Sequence, residues 1–148
     1  MGFHPRFPMS GVCRTDEITV SSDAGNLYGV LDFIMGHLDG HEVSGRSVAQ
    51  LELAVEEVFA NISKYAYHPG EGEVSVACEL DEGMRLRVRF MDRGVPFDPL
   101  RRPDPDTTMP MEDRPIGGLG IFLVKRNVDS IEYSRTDGRN VLTIEKVM

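Results

Sequence analysis

At 148 residues, 41% hydrophobic and 27% charged, the chain holds apolar material for one core and has no room for a second domain. Sixteen basic residues against twenty-four acidic ones give a formal charge of -8, which excludes nucleic acid and anionic membrane as electrostatic partners. Proteins and small molecules remain, and an anionic ligand would have to be held by backbone amides, helix N-termini and a metal ion rather than by a basic patch.

The opening stretch "MGFHPRFPMSGVCR" has no apolar run of the secretory type, and no later stretch approaches a membrane span. Cys13 and Cys78 lie far apart and without metal-ligand spacing, so a reducing, cytoplasmic setting is expected. Residues 1–15 are read as loosely held and 16–148 as a single domain.

A short strand is expected at "EITV", followed by a helix in "SSDAGNLYGVLDFIMGHLDG", with serines able to cap it and Leu27, Leu31, Ile34 and Leu38 at helical spacing. His37 and His41 stand four apart, but Gly40 intervenes at a helix end, so a solvated terminus is preferred to a metal site. A longer helix follows in "GRSVAQLELAVEEVFANISKYAYHPG", with Leu51, Val55, Val58, Ile62 and Tyr65 on one stripe and Pro69-Gly70 as its stop. "EVSVACEL" and "MRLRVRFMD" alternate as two strands of a hairpin, with Arg85, Arg87 and Arg89 on a solvated face. From 95 to 116 the periodicity stops and six of the nine prolines gather, the mark of a functional lid or of a disordered insert. The helix "GGLGIFLVKRNV" and a last hairpin, "SIEYSRT" and "NVLTIEKV" joined at "DGRN", complete the chain. The fold expected is α+β: a two-layer sandwich with a mixed, mostly antiparallel sheet and helices on one face.

Three stretches carry chemistry. In "LAVEEVFAN", Glu57 and Asn61 are four apart and point within roughly 40° of each other on one helix face, while Glu56 points away. A carboxylate and an amide there can serve as general base and metal ligand, or be a solvated helix flank. In "MDRGVPFDP" a strand runs into Asp92 and turns at Gly94. That aspartate can accept a hydrogen bond from an exocyclic amine with the glycine leaving room for a ring, or it can form an Asx turn. In "GGLGIFLVK" the glycines 117, 118 and 120 strip the mouth of a helix of side chains, which suits a phosphate better than a plain turn does. The spacing matches neither a dinucleotide-binding fingerprint nor a P-loop.

In this order the three stretches resemble the ATP-binding domain of the GHKL superfamily, shared by gyrase, histidine kinases and mismatch-repair ATPases. "EEVFAN" looks like its N box, "DRGVP" its first glycine box and "GGLGIFLV" its second, with the proline-rich stretch as ATP lid. Within the superfamily the chain is most similar to the small bacterial anti-sigma factors that are serine kinases. The resemblance implies ATP and Mg²⁺ as cofactors. It implies Glu57 as the base that activates the attacking hydroxyl, Asn61 as the Mg²⁺ ligand and Asp92 as the adenine reader. Gly94 would give adenine clearance, and Gly118, Leu119 and Gly120 would form the phosphate-holding helix mouth. The implied partners are a small anti-sigma-factor antagonist of the STAS type and a sigma factor, and a homodimer is a trait of several such kinases.

Two departures stand out. Tyr65 replaces the histidine with which that N box usually continues, and "GRNVLT" replaces a Gly-Thr pair at the last strand, leaving Asn140 or Thr143 as stand-ins for a phosphate contact. A histidine kinase is disfavoured by Glu57 and by the lack of an upstream helical pair bearing a phospho-accepting histidine. The remaining rivals are a nucleotide-dependent binding module that transfers no phosphate and a scaffold without a ligand.

Overall fold

The computed structural model describes residues 14–101 and 119–148. Strand β1 (Arg14–Ser21) leads through a 3-10 turn into helix α1 (Leu27–Met35) and then helix α2 (Gly45–Tyr65). Strands β2 (Glu73–Leu80) and β3 (Arg85–Asp92) follow, then helix α3 (Leu119–Asn127) and strands β4 (Ser130–Thr136) and β5 (Arg139–Val147).

The five strands form one sheet in the order β1-β2-β3-β5-β4. The α+β sandwich is as expected, and the sheet, expected to be mostly antiparallel, is antiparallel in every described ladder. The reason is topological. Strands β3 and β4 do run in the same direction, but β5 folds back between them, so the parallel pair never meets. The last turn has two residues, Asp137 and Gly138, both with positive φ (53° and 76°), the pairing that matches the twist of a tight hairpin.

One face of the sheet is apolar in register: Val76, Phe90 and Leu142 form one row, and Cys78, Val88 and Ile144 the next. The helices cover that face. Ser44 caps α2 by accepting from the Ser47 amide at 3.0 Å, and the buried residues 51, 54, 55, 58, 59 and 62 then recur at the helical period. Each of these side chains except the small Ala54 contributes about 1.5–3 kcal/mol of burial. Tyr65, placed on this stripe by spacing, is exposed instead, because α2 ends there and the chain turns away. Cys78 is buried in this core, and desolvation raises its thiol pKa to about 12, so it is inert.

The next core-facing position of β5 belongs to Lys146. Its buried ammonium donates to Gln50 Oε1 at 2.8 Å and to the Asn127 carbonyl at 3.0 Å, tying the start of α2 to the end of α3. The opposite face of the sheet carries an ionic ladder. Arg85 and Arg87 both hold Glu145, at 2.9 and 2.6 Å, and Arg87 reaches Glu79 at 3.3 Å. The arginines thus share a polar face as expected, with glutamates interleaved.

His37 departs from the solvated helix end expected of it. Its ring donates to the Phe33 carbonyl at 2.9 Å, packs edge-on to Phe33 and lies 3.0 Å from Asp16 of β1, leaving the side chain only 8% exposed. Among the described residues no group of three or more potential ligands is placed to hold a metal ion, and no helix is long and apolar enough to cross a membrane. The segment 1–13 and the lid expected at 95–116 lie outside the described residues, except for the lid's first seven positions.

Candidate nucleotide site

The C-terminal half of α2, the end of β3 and the start of β5 converge on a cleft with about 430 Å³ of empty space, part of it open solvent. Asn61, Tyr65, Asp92, Phe97, Tyr133 and Asn140 contribute its polar and aromatic walls, and Val58, Phe90 and Leu142 its apolar floor. Asp92 arrives there because β3 carries its alternation to the last residue: Phe90 faces the helices, and so does Asp92, which is 5% exposed.

The Asx-turn reading of Asp92 holds. Its Oδ1 accepts from the Gly94 amide at 2.9 Å, closing the turn, and from Asn140 Nδ2 at 2.9 Å. Its Oδ2 takes no hydrogen bond among the described residues, and the residue lines the cleft. An acceptor-only group pre-oriented by two donors is what recognition of an amine requires.

Asn140 is fully engaged. Its amide donates to Asp92 and, at 2.8 Å, to the Val95 carbonyl; its oxygen accepts from the Tyr133 hydroxyl and from the Phe97 amide. No capacity is left for a phosphate, so the role expected of Asn140 as a stand-in phosphate contact is corrected to that of an Asp92 support. Thr143 is corrected too, since it alternates with the buried Leu142 and Ile144 and faces away from the helices, opposite Arg89 and Glu132.

Gly94 is required for a different reason than clearance for a ring. A Cβ there would meet the Ala66 backbone at the end of α2, with its carbonyl oxygen at 2.1 Å, and the Val95 amide donates to that same carbonyl at 3.0 Å. The space freed by Gly94 is occupied by the helix end, and Arg135 caps the arrangement by donating to the Gly94 carbonyl at 2.9 Å. Tyr67 forms a strut beside it: its hydroxyl donates to the Glu73 carbonyl at 2.6 Å and accepts from the Arg93 amide at 2.7 Å. Burial raises the pKa of that hydroxyl, the Arg93 amide opposes the rise and the neighbouring Asp92 charge adds to it.

Glu57 lies one turn before Asn61 on α2 and meets α3, which packs on α2. Its Oε1 would stand 2.5 Å from a Cβ on Gly120, so the carboxylate rests against the first turn of α3. Neither the Glu57 carboxylate nor the Asn61 amide has a hydrogen bond or ion pair among the described residues. Gly118 lies outside the described residues, and Leu119 begins α3.

Residues 20–146 match the histidine kinase-like ATPase domain family. The chain belongs to this family. Over 99 residues the ATPase domain is 32% identical to the serine-protein kinase RsbW of Bacillus thuringiensis (strain Al Hakam) and of Bacillus cereus (strain 03BB102), matching 64% of this chain. It is 33% identical to that of Bacillus anthracis (strain CDC 684 / NRRL 3495) over the same length. The match spans 61% of the length of these curated relatives. Among solved structures, the RsbU and RsbW domains of a Mycobacterium tuberculosis protein share the fold, with a TM-score of 0.61 at 15% identity over 90% of this chain and 32% of that one.

Three residues of the site were not singled out as its parts by spacing: Tyr67, Tyr133 and the engaged form of Asn140. The departure from the Gly-Thr pattern pointed to position 140, and no motif pointed to the two tyrosines, whose partners Glu73, Arg93 and Asn140 belong to other elements.

Proposed function

We propose that this ATPase domain is an ATP-dependent protein kinase that phosphorylates a serine or threonine of a small STAS-type antagonist and, through exchange of partners, controls a sigma factor in the cytoplasm. The single observation that carries the reading is a set of polar groups left free by the fold: the Glu57 carboxylate, the Asn61 amide and Asp92 Oδ2, all from elements that meet at the cleft. Buried or half-buried polar groups ordinarily find partners, so two unpartnered ones lining the cleft, Asn61 and Asp92, with a third, Glu57, one helical turn before Asn61, fit a ligand.

The residues present suit ATP and Mg²⁺. The carbonyl oxygen of Asn61 is a hard ligand for Mg²⁺, Asp92 Oδ2 an acceptor for the adenine amine, and the glycine-led start of α3 a seat for phosphate oxygens. When bound, the metal and nucleotide supply charge neutralisation and the transferable phosphoryl group; the protein's share is positioning. Glu57, without a hydrogen-bond partner among the described residues, would take the proton of the attacking hydroxyl as that hydroxyl's oxygen bonds to the γ-phosphorus and ADP leaves. In this reading the proline-rich stretch 95–116 is the ATP lid, and the single domain expected from residue 16 takes in the whole of β1 from Arg14.

Glu57→Gln, which keeps the shape and removes the base, tests this. Label from radioactive ATP should reach a candidate antagonist with the wild type and fall by about 10²–10⁴-fold with the variant, while ATP–Mg²⁺ still raises the melting temperature of both. Wild-type protein that is stabilised by ATP–Mg²⁺ yet transfers no label to any antagonist would favour a nucleotide-dependent binding module instead.

A further inference from the structure

We propose that Gly120 is a positioning residue for the general base: the vacancy where its side chain would be is the seat of the Glu57 carboxylate. This inference rests on the kinase reading of Glu57 and concerns a contact that the fold itself does not need.

Gly120 is the second residue of α3, in its first turn, where a glycine costs more chain entropy to order than an alanine does. Its φ lies outside the left-handed region that would demand glycine, in contrast to Gly40 and Gly138. Backbone conformation therefore gives no reason for a glycine here. Space does: a Cβ would stand 2.5 Å from Glu57 Oε1 and 3.6 Å from its Cδ, and outside the backbone of α3 itself no other atom of the described residues comes within 4 Å. Among the described residues, the group that an added methyl displaces is the base.

Because that group is the far end of a flexible side chain, the displacement costs the fold little. Oε1 must retreat by at least half an ångström to reach the 3.0 Å that real contacts respect. A carboxylate that abstracts a proton works only within hydrogen-bond reach of the hydroxyl, and misplacements of this order cost up to about 10²-fold in rate. Gly120 thus acts through Glu57, in addition to any baring of helix amides that its neighbours share.

Gly120→Ala separates these roles. The expected variant melts at or above the wild-type temperature, binds ATP–Mg²⁺ within about threefold, and transfers phosphate about 10- to 100-fold more slowly through kcat, with KM for ATP little changed. On a Glu57→Asp background, whose shorter side chain no longer reaches the seat, Gly120→Ala should add no further loss. A readout independent of turnover is the NMR signal of the Gly120 α-protons, which should follow the titration of Glu57 in wild type and lose that dependence in Glu57→Gln.

Unchanged transfer by Gly120→Ala overturns the proposal. So does a loss of ATP–Mg²⁺ affinity that matches the loss of rate, because that outcome assigns Gly120 to the phosphate mouth. Gly120 α-proton signals indifferent to Glu57→Gln overturn it without any kinase assay. Wild-type protein that transfers no phosphate defeats the kinase reading by itself, and the NMR titration then decides the seat alone.

Discussion

Gly94→Ala distinguishes two explanations of the same glycine. If Gly94 existed to admit a ring, alanine would fold normally and lose nucleotide. The structure predicts the reverse, because the volume is filled by backbone. The new Cβ would lie 2.1 Å from Ala66 O, 2.5 Å from Ala66 C and 2.7 Å from its Cβ, the first 0.9 Å inside the 3.0 Å limit of real contacts. Neither partner can swing aside as a side chain could: Ala66 is the buried cap of α2, and the turn at 92–94 is closed by Asp92. Overpacking of this kind costs about 1–3 kcal/mol. Opening the gap also breaks the 3.0 Å bond from the Val95 amide to Ala66, worth about 0.5–1.5 kcal/mol net. A total of about 1.5–4.5 kcal/mol lowers the melting temperature of a domain this size by about 3–18 °C. Calorimetry without nucleotide measures it. Gly29→Ala is the control: nothing lies within 4 Å of its Cβ on exposed α1, so it should be neutral or stabilising by up to about 1 kcal/mol. A Gly94→Ala protein melting within about a degree of wild type would refute the packing account.

Two further expectations concern the framework. Arg87 first, and Arg85 with it, hold the Glu145 pKa below its ordinary value of 4.5. A depressed folded pKa contributes stability that is complete above the unfolded value and lost as pH falls through the folded one, so the difference in urea midpoint between wild type and Glu145→Gln should be full near neutral pH and shrink on acidification below about 4.5. Lys146→Met removes the donor shared by Gln50 and Asn127 and should cost about 1–3 kcal/mol by urea unfolding; adding Gln50→Leu should recover part of the loss, since an orphaned acceptor is removed with its donor.

Much of this architecture was legible in the sequence because its signals are local. The period of α2 and the alternation of β2 and β3 each lie within one short window, and their core faces follow from it. The end of α2, by contrast, comes at Tyr65 and not at Pro69, because the chain there answers to Gly94 and to the Tyr67 strut, which lie about thirty residues apart in sequence. The all-antiparallel sheet was hidden for a like reason: whether β5 pairs outside β4 or inserts beside β3 depends on β3's unfilled edge, which no hairpin pattern reports. At the site, the Glu57/Asn61 spacing and the strand-end Asp92 were readable. The Asn140 network was not, since an asparagine reveals its four partners only once β3, β4 and the root of the lid are side by side.

The two glycines of the site show why residue type alone could not complete the reading. Glycine marks a place where a Cβ does not fit, but it is silent about which neighbour takes the room. At 94 the neighbour is backbone, immovable, and the consequence falls on folding; at 120 it is a carboxylate on three rotatable bonds, and the consequence falls on chemistry. The Gly94 contact fixes α2 at its C-terminal end against the exit of β3, whereas the Gly120 contact places only the Glu57 carboxylate against the start of α3. The rigidity of α2 therefore comes from its apolar stripe and from the close approach of Ala66 to Gly94, and on the proposed function that packing leaves its polar face free for a ligand.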